Sequence, residues 1–170
     1  YTSSIGAYSS NEVFIENYDE DQGQPMDMYP GWAKRMAEMQ IKSYKIEHDL
    51  NDYFIVRPCN VYGPGDNFDP DNAMVVPSLM HKIKNDNNKL MVWGDGSAIR
   101  DFAYSKDVAI GIMQTIEFGT GKFDFLNLGS GFGVSIRELV ETLHSFIQFD
   151  YEFDLSKSGG FKKRIMNIDN

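Results

Sequence analysis

A phenol and an ammonium lie close together at the start of the strongest helical pattern in this sequence. They belong to Tyr29 and Lys34, in the segment Met28-Tyr29-Pro30-Gly31-Trp32-Ala33-Lys34. A neighbouring positive charge lowers the pKa of a phenol, and such a pair can then exchange a proton with a substrate hydroxyl. An ordinary helix start with an exposed lysine produces the same pattern, so both interpretations stand at this point.

Other side chains with chemical potential carry weaker signals. Ser4 has no Gly-x-Ser-x-Gly setting and no histidine near it in the sequence, which disfavours a hydrolase triad. The three histidines lie in separate predicted helices without metal-ligand spacing. A group of loop carboxylates lacks the glycine and the closing glutamate of an EF-hand, and its members are Asp66, Asp69 and Asp71. We therefore predict no metal site.

Basic side chains give a clearer indication of an anionic ligand. Arg100 follows a Gly-Asp-Gly-Ser turn, and a basic group near the C-terminal end contains Lys157, Lys162, Lys163 and Arg164. A planar guanidinium matches two phosphate oxygens at once, so an arginine beside a turn suits a diphosphate. A surface ion pair between Arg100 and Asp95 or Asp101 explains the same arginine equally well.

An alternation of strand and helix patterns positions these residues and indicates an α/β fold. The first helix is predicted from residue 30 to about residue 49, with Pro30 where a missing N–H costs nothing. Residues at helical spacing form an apolar face opposite a charged face. The apolar face contains Trp32, Met36, Met39, Ser43 and Ile46, and the charged face contains Lys34, Arg35, Glu38, Lys42 and Lys45. The acidic residues 11–29 are predicted to form a surface loop.

Further strands are predicted at residues 53–57, 90–93, 123–128 and 151–153, and further helices at residues 73–85, 106–118 and 136 to about 149. Ser105 and Ser135 are predicted as N-caps of the last two helices. Residues 60–66 form a loop at the carboxyl end of a buried strand, where open α/β sheets bind ligands. The segment Gly129-Ser130-Gly131-Phe132-Gly133 lacks the G-x-G-x-x-G spacing of a dinucleotide loop, so we interpret it as a turn leading to Ser135.

The composition of the chain excludes several classes of function and partner. At 170 residues the chain has the size of about one domain, and its 42% hydrophobic and 24% charged residues are ordinary for a globular protein. A net charge of −9 argues against nucleic acid as a partner. No apolar run reaches the ~18 residues of a membrane span, so we expect no membrane association. The single Cys59 excludes an internal disulfide and fits a reducing compartment such as the cytoplasm.

Six short segments, taken together in their order, resemble the extended short-chain dehydrogenase/reductase family of nucleotide-sugar epimerases and reductases. The resemblance covers essentially the whole chain. The segments are Thr2-Ser3-Ser4 with Tyr8, Tyr29 with Lys34, residues 57–65, residues 92–97 with Arg100-Asp101-Phe102, Asp107-Val108-Ala109, and residues 127–131.

The resemblance implies the C-terminal part of a Rossmann-type doubly wound parallel sheet and a smaller α/β substrate-binding domain. Residues 1–60 would belong to the Rossmann domain and residues 61–170 mainly to the substrate-binding domain, with residues from about 100 to 130 returning to the first. The implied cofactor is NAD or NADP, and the implied substrate is a GDP- or UDP-sugar. A homodimer would form through the helix that carries Lys34.

The same resemblance implies a role for each site residue. Tyr29 would be the catalytic acid/base, Ser4 would hydrogen-bond the reacting sugar oxygen, and Lys34 would hold the cofactor ribose and lower the pKa of the tyrosine. The nicotinamide would be bordered by Pro58, Cys59 and Asn60, and Asn60 would also reach toward the substrate phosphates. The remaining substrate contacts would come from Val75, Lys82, Trp93, Arg100 and Arg164.

Three departures from the family pattern shape these expectations. The chain has no GxxGxxG loop, so we expect a fragment, or a chain completed by another polypeptide, that binds NAD(P) poorly by itself. The family places a tyrosine four residues before the lysine, where this chain has Pro30. Ile5 and Gly6 stand where dehydratases carry an acidic pair, which disfavours a dehydratase. Two hypotheses follow, namely an active epimerase or reductase, and an inactive member that binds a sugar nucleotide or a partner subunit.

Overall fold

The computed structural model describes residues 1–10, 13–17, 23–120 and 123–169. Its helices are α1 (Met28–His48), α2 (Val75–Asn85), α3 (Ser105–Phe118), α4 (Ile136–Phe146) and a short 3₁₀ helix (Ile5–Ala7). Its strands are β1 (Val13–Phe14), β2 (Val56–Pro58), β3 (Asn60–Tyr62), β4 (Lys89–Trp93), β5 (Ile99–Arg100), β6 (Phe102–Tyr104), β7 (Leu126–Leu128), β8 (Val134–Ser135), β9 (Asp150–Asp154) and β10 (Lys163–Met166). In the described part of the chain, no helix has both the length and the apolar character needed to cross a bilayer.

Parallel pairing dominates the sheets. β2 pairs with β7, β3 with β6 and β4 with β9, all in parallel, and Thr2 makes a parallel bridge to Val56 in β2. A larger sheet has the order β1-β10-β5-β8, in which the β5–β8 pair is antiparallel. Parallel neighbours need crossover connections, and helices lie on them here, with α1 between Thr2 and β2 and α3 on the connection from β2 to β7. The predicted α/β fold is confirmed.

Several predicted element boundaries are wrong, because tertiary pairing extends or shifts the elements. α1 begins at Met28, ahead of the predicted start. β3 occupies the first part of the predicted loop 60–66, where pairing with β6 supplies its hydrogen bonds. α3 begins at Ser105, and its N-cap is Tyr104. The basic tail contains a strand, β10, which pairs with both β1 and β5. The remaining predicted helices and strands lie where predicted, with ends shifted by a few residues.

The turn at residues 129–133 and the cap at Ser135 are confirmed. The Ser135 hydroxyl accepts a hydrogen bond from the Glu138 amide at 3.1 Å, and the Glu138 carboxylate accepts one from the Ser135 amide at 2.8 Å. This reciprocal capping box satisfies amide groups that the start of α4 leaves without helical partners. The hydrogen bond from the Ser135 side chain also lowers the pKa of Glu138.

Part of the predicted surface loop at residues 11–29 lies in the core. Residues 11, 12 and 18–22 are outside the described residues. Within the segment, β1 pairs with β10 and buries Phe14 completely. Glu16 is also buried, and its carboxylate accepts a hydrogen bond from the Asn127 amide. The acidic composition of this segment therefore concealed a strand that buries Phe14.

Two apolar clusters hold the elements together. One surrounds the β2–β7 pair and contains Ile5, Tyr8, Phe14, Ile55, Cys59, Phe125 and Met166. The other lies between α2, α4 and the β4–β9 pair and contains Leu79, Ile83, Leu90, Val92, Val140 and Phe149. The first cluster combines residues from both ends of the chain, so its formation depends on long-range packing.

The orientation of α1 is the reverse of the one that its apolar face indicates. Its buried positions are Gly31, Arg35 and Glu38, which follow one another at helical spacing. The apolar face points outward, with Trp32 50% exposed and Met36 75% exposed. The remaining members of that face are exposed as well, namely Met39, Ser43 and Ile46. The helix thus buries a polar face, which requires charged partners in the core.

An ion pair between Glu38 and Arg57 supplies that partnership. Both side chains are completely buried, and the guanidinium donates to the carboxylate at 2.9 Å from Nε and 2.6 Å from Nη2. The guanidinium also lies 4.2 Å from the ring centre of Tyr8 and 3.7 Å from that of Phe125. Buried charges need such geometry, because desolvation costs several kcal/mol per ion. The pair joins α1 to β2 and therefore determines how α1 is rotated.

Removing one partner of this pair should destabilise the protein strongly. Glu38→Ala leaves the Arg57 guanidinium buried without its counter-ion, and we expect the free energy of unfolding to fall by about 3–5 kcal/mol. Urea denaturation followed by circular dichroism measures the change. The matched control is Asp124→Ala, which removes a partly exposed ion pair with Lys42 (3.1 Å) and should cost less than about 1 kcal/mol. Equal losses in the two variants would contradict the structural role of the buried pair.

Candidate functional site

Ser4 and Lys34 meet at one chain segment, residues 2–4. The Ser4 hydroxyl accepts a hydrogen bond from the Gly6 amide at 3.1 Å and caps the short 3₁₀ helix. The Lys34 ammonium donates to the Thr2 carbonyl at 3.0 Å. Glu38 lies one turn after Lys34 on the same helix face, so the buried ion pair directs the lysine toward this segment. Lys34 therefore contacts the chain two residues before Ser4.

Tyr29 is placed differently. It lies inside α1 and not at its cap, because the helix begins at Met28. At about 100° per residue, five positions put Tyr29 about 140° around the helix from Lys34. Its side chain is 83% exposed. Pro30 stands only about 40° from Lys34 and has no group that transfers a proton. The phenol and the ammonium do not share a helix face, and their acid–base pairing stays a prediction.

The residues predicted to border a nicotinamide end β2 and follow it. Pro58 pairs with Leu128 in β7, and the Cys59 amide donates to the Leu128 carbonyl at 2.9 Å. Burial, together with the neighbouring Asp101, raises the pKa of the Cys59 thiol. This position therefore favours the protonated thiol. The Asn60 side chain donates to the Asp101 carbonyl at 2.8 Å, which ties it to the start of β6.

A cavity of about 330 Å³ lies between α2, β4 and residues 158–160. Residues that the family resemblance assigned to the substrate line it together, namely Val75, Lys82, Trp93 and Arg100. Trp93 is 62% exposed, and the Lys82 ammonium lies 5.5 Å from its ring centre. The volume is in the range of small-molecule sites. An open aromatic face beside positive charges suits a ligand that is both aromatic and anionic.

Arg164 lies beside Arg100, because β5 and β10 pair in parallel with these two residues in register. Arg100 donates to the Phe161 carbonyl at 2.8 Å, and the Arg164 guanidinium packs 4.2 Å from the Phe161 ring centre. Burial, and to a smaller extent the neighbouring Arg164, lowers the pKa of Arg100. The Nε atom of Arg164 is buried without a hydrogen-bond partner among the described residues. Two adjacent, half-buried guanidiniums with unused donors form a suitable site for an anion.

Asp101 is not a surface partner of Arg100. Its side chain is completely buried, and its carboxylate accepts hydrogen bonds from the Ser130 amide at 2.9 Å and the Ser130 hydroxyl at 2.6 Å. The Gly131 amide donates to the same carboxylate at 3.1 Å. Gly129 passes so close that a methyl group there would overlap the carboxylate. The glycine-rich segment therefore wraps around Asp101, and this close approach explains Gly129 without a bound phosphate.

Sequence reasoning missed two carboxylates on which the site depends. Glu38 carried a signal, because it lies four residues after Lys34 and shares its helix face. Asp27 carried none, because its partner, Arg164, is remote in the sequence; the two side chains approach to 3.6 Å. Within the described ranges, no group of three or more His, Cys, Asp or Glu side chains could hold a metal ion.

Comparison with known proteins places this geometry in a family. The chain matches the NAD dependent epimerase/dehydratase family over residues 1–129. It is 33% identical over 150 residues to GDP-L-fucose synthase 1 of Arabidopsis thaliana, which covers 85% of this chain and 46% of that protein. The chain thus spans about half the length of the relatives it matches.

Solved structures agree with this assignment. A GDP-L-fucose synthetase from Naegleria fowleri bound to NADP superposes with a TM-score of 0.83 at 25% identity, over 98% of this chain and 54% of that one. A UDP-glucose 4-epimerase from Thermotoga maritima, solved with UDP-glucose, gives a TM-score of 0.77 at 27% identity, over 99% of this chain and 53% of that one. The predicted resemblance is confirmed, and the chain belongs to the NAD dependent epimerase/dehydratase family within the extended short-chain dehydrogenases/reductases.

Proposed function

We propose that this chain provides the substrate site and part of the cofactor site of an NAD(P)-dependent nucleotide-sugar epimerase or reductase. The observation that carries the proposal is the cavity in which Val75, Lys82, Trp93 and Arg100 meet. The similar proteins support the ligand class, because they include a GDP-L-fucose synthase and a structure with UDP-glucose. The NADP-bound structure among them supports the cofactor class.

In this proposal the ligand extends from the cavity toward Ser4. The nucleobase stacks on the exposed Trp93 ring beside Lys82, the diphosphate binds Arg100 and Arg164, and the sugar continues toward Ser4. The overall charge of −9 repels an anionic ligand, so these local cations must supply the attraction. Guanidiniums suit this task, because each presents paired donors to phosphate oxygens and keeps its charge at neutral pH.

The residues around Ser4 would handle the reacting sugar oxygen. The Ser4 hydroxyl accepts the Gly6 N–H, which leaves its own O–H to donate to that oxygen. The Lys34 ammonium uses one donor on the Thr2 carbonyl, and its other donors fit the ribose hydroxyls of NAD or NADP. Tyr29 would transfer the proton. The bound cofactor supplies or accepts the hydride at the sugar carbon.

A second function is favoured by one observation at the start of α1. Tyr29 is 83% exposed, and Pro30 stands where the family carries its phenol. The same cavity and arginine pair would still bind a sugar nucleotide, but no phenol beside Lys34 would move the proton. The protein would then be an inactive binding module that engages a sugar nucleotide or a partner subunit.

Two further parts of the proposal concern the domains and the dimer. The parallel pairing of β7 with β2 supports the expected assignment of residues from about 100 to 130 to the same domain as residues 1–60. The exposed apolar face of α1, which includes Trp32 and Met36, supports a homodimer formed through this helix. In that dimer the face would be buried against its copy.

The location of the cavity predicts which cations contribute to the affinity for a sugar nucleotide. Lys82→Ala and Arg100→Ala should each weaken binding of a GDP- or UDP-sugar by about tenfold or more, since hydrogen bonds to charged groups contribute about 1.5–3 kcal/mol. Lys84→Ala, exposed on the same helix and outside the cavity, should leave the affinity unchanged. Isothermal titration calorimetry measures the dissociation constant for each of the three variants, made in the protein as the cell produces it. Unchanged affinity in both cavity variants would refute this location of the site.

Replacing the phenol separates the two functions. If Tyr29 is the acid/base, Tyr29→Phe should lower kcat by about 10²- to 10⁴-fold while the dissociation constant of the sugar nucleotide stays the same. Tyr44→Phe, on an exposed turn of the same helix, is the control. NAD(P)H absorbance and chromatography of the sugar nucleotide follow turnover. Activity that survives Tyr29→Phe shows that the phenol is not the acid/base, and tight binding without any turnover supports the inactive module.

A charge on the apolar face of α1 should prevent dimer formation. Met36→Lys places an ammonium on a face that would be buried between copies, so we expect a monomer by analytical ultracentrifugation. Met80→Lys, at an exposed position of α2, is the control and should leave the mass unchanged. A parent protein that sediments as a monomer would rule out this dimer.

A further inference from the structure

Asp27 holds the N-cap position of α1 without capping the helix. It precedes Met28, but its side chain makes no capping hydrogen bond. The carboxylate instead lies 3.6 Å from Nη1 of Arg164 and rests against Gly6. An aspartate in this position normally accepts a hydrogen bond from the first helical turn and stabilises the helix. Its different orientation therefore calls for another explanation.

The carboxylate lies between the two halves of the proposed site. On one side is Gly6, whose amide donates to the Ser4 hydroxyl. On the other side is Arg164, in register with Arg100 at the cavity. The Asp27 amide donates to the Gly6 carbonyl at 3.3 Å, which fixes the backbone in this place. A ligand whose diphosphate binds the arginines and whose reacting carbon faces Ser4 must pass its sugar ring beside Asp27.

A carboxylate in this place is unfavourable for a diphosphate alone. It offsets part of the positive charge of Arg164 and repels phosphate oxygens as a like charge. It becomes favourable when hydroxyl groups face it, because a carboxylate only accepts hydrogen bonds, and bonds to a charged acceptor are stronger than neutral ones. The side chain is 42% exposed, so its oxygens are accessible to such donors.

We propose that Asp27 recognises the sugar, accepting hydrogen bonds from ring hydroxyls of the hexose next to the diphosphate that binds Arg100 and Arg164. The inference rests on the proposed binding of a nucleotide sugar and is independent of catalysis by Tyr29. It implies selectivity, because a site built to hydrogen-bond a hydroxyl binds poorly to an analogue that lacks the hydroxyl.

Paired ligands with and without the sugar test this role. Isothermal titration calorimetry on the naturally produced protein would compare UDP-glucose with UDP, and GDP-mannose with GDP. We expect Asp27→Ala to weaken binding of the sugar conjugate by about tenfold or more, because it loses charge-assisted hydrogen bonds. Binding of the nucleoside diphosphate should stay equal or tighten, because a like charge is removed. Asp124→Asn, a carboxylate that pairs with Lys42 away from the cavity, is the control and should change neither affinity.

A second variant moves the carboxylate without removing it. A methyl group on Gly6 would overlap the Asp27 carboxylate, and the backbone at Gly6 is not in the left-handed region, so alanine meets no other penalty from backbone conformation. Gly6→Ala should therefore reproduce the selective loss of affinity for the sugar conjugate. The double variant Gly6→Ala/Asp27→Ala should be no weaker than either single variant, since both act on one interaction.

The outcomes separate this inference from the function on which it rests. If the parent protein binds neither nucleoside diphosphates nor their sugar conjugates, the proposed function fails and this inference falls with it. If the parent binds the conjugates, and Asp27→Ala weakens both ligands by the same factor, Asp27 serves only Arg164 and the sugar-recognition role is overturned. Unchanged affinity for the conjugate overturns it as well. Circular dichroism melting curves establish that each variant is folded.

Discussion

The buried ion pair between Glu38 and Arg57 determines the relative placement of the elements that form the site. Arg57 belongs to β2, and its guanidinium packs against the rings of Tyr8 and Phe125 as well as the Glu38 carboxylate, so its position is fixed by three groups. A completely buried carboxylate on α1 must meet it, because an unpaired charge in the core would cost several kcal/mol. This requirement sets the rotation of α1. It thereby directs Lys34 toward the segment that carries Ser4 and leaves Trp32 and Met36 in solvent.

Buried hydrogen bonds also connect Tyr8, which packs against Arg57, with the end of β10, the strand that carries Arg164. The Tyr8 hydroxyl donates to Oδ1 of Asn127 at 2.7 Å, and Nδ2 of the same side chain donates to the carbonyls of Phe14 at 2.9 Å and Asn167 at 3.0 Å. These bonds connect the segment after Ser4 with β1 and with the end of β10, the strand that carries Arg164. Fully satisfied buried networks favour a single arrangement, because a displaced member leaves an unpaired polar group. The two halves of the proposed site are therefore held in one geometry.

The proposed site combines a binding half whose residues match the family pattern and an acid–base half that departs from that pattern. The cavity with Trp93, Lys82 and Arg100 gathers cations in a strongly acidic chain, which supports the proposed anionic ligand. At the start of α1, Pro30 takes the helical position next to Lys34, and the phenol lies one residue earlier. In our proposal, ligand binding and proton transfer are thus separable. Asp27, between the two halves, contributes to the first of them in our proposal.

Part of the fold and the family could be predicted from the sequence, because they depend on residues that are close together in the chain. The strand and helix alternation, the capping box at Ser135 and the turn at residues 129–133 are local features, and the order of the six motifs was sufficient for the family. The buried face of α1 could not be predicted in this way. The spacing of Trp32, Met36 and Met39 indicated the opposite face, since periodicity measures hydrophobicity and does not detect a partner on another strand. Only the tertiary structure decided that Glu38 is buried against Arg57 and that Asp27 meets Arg164, because the stabilisation of a buried charge comes from a group remote in the chain.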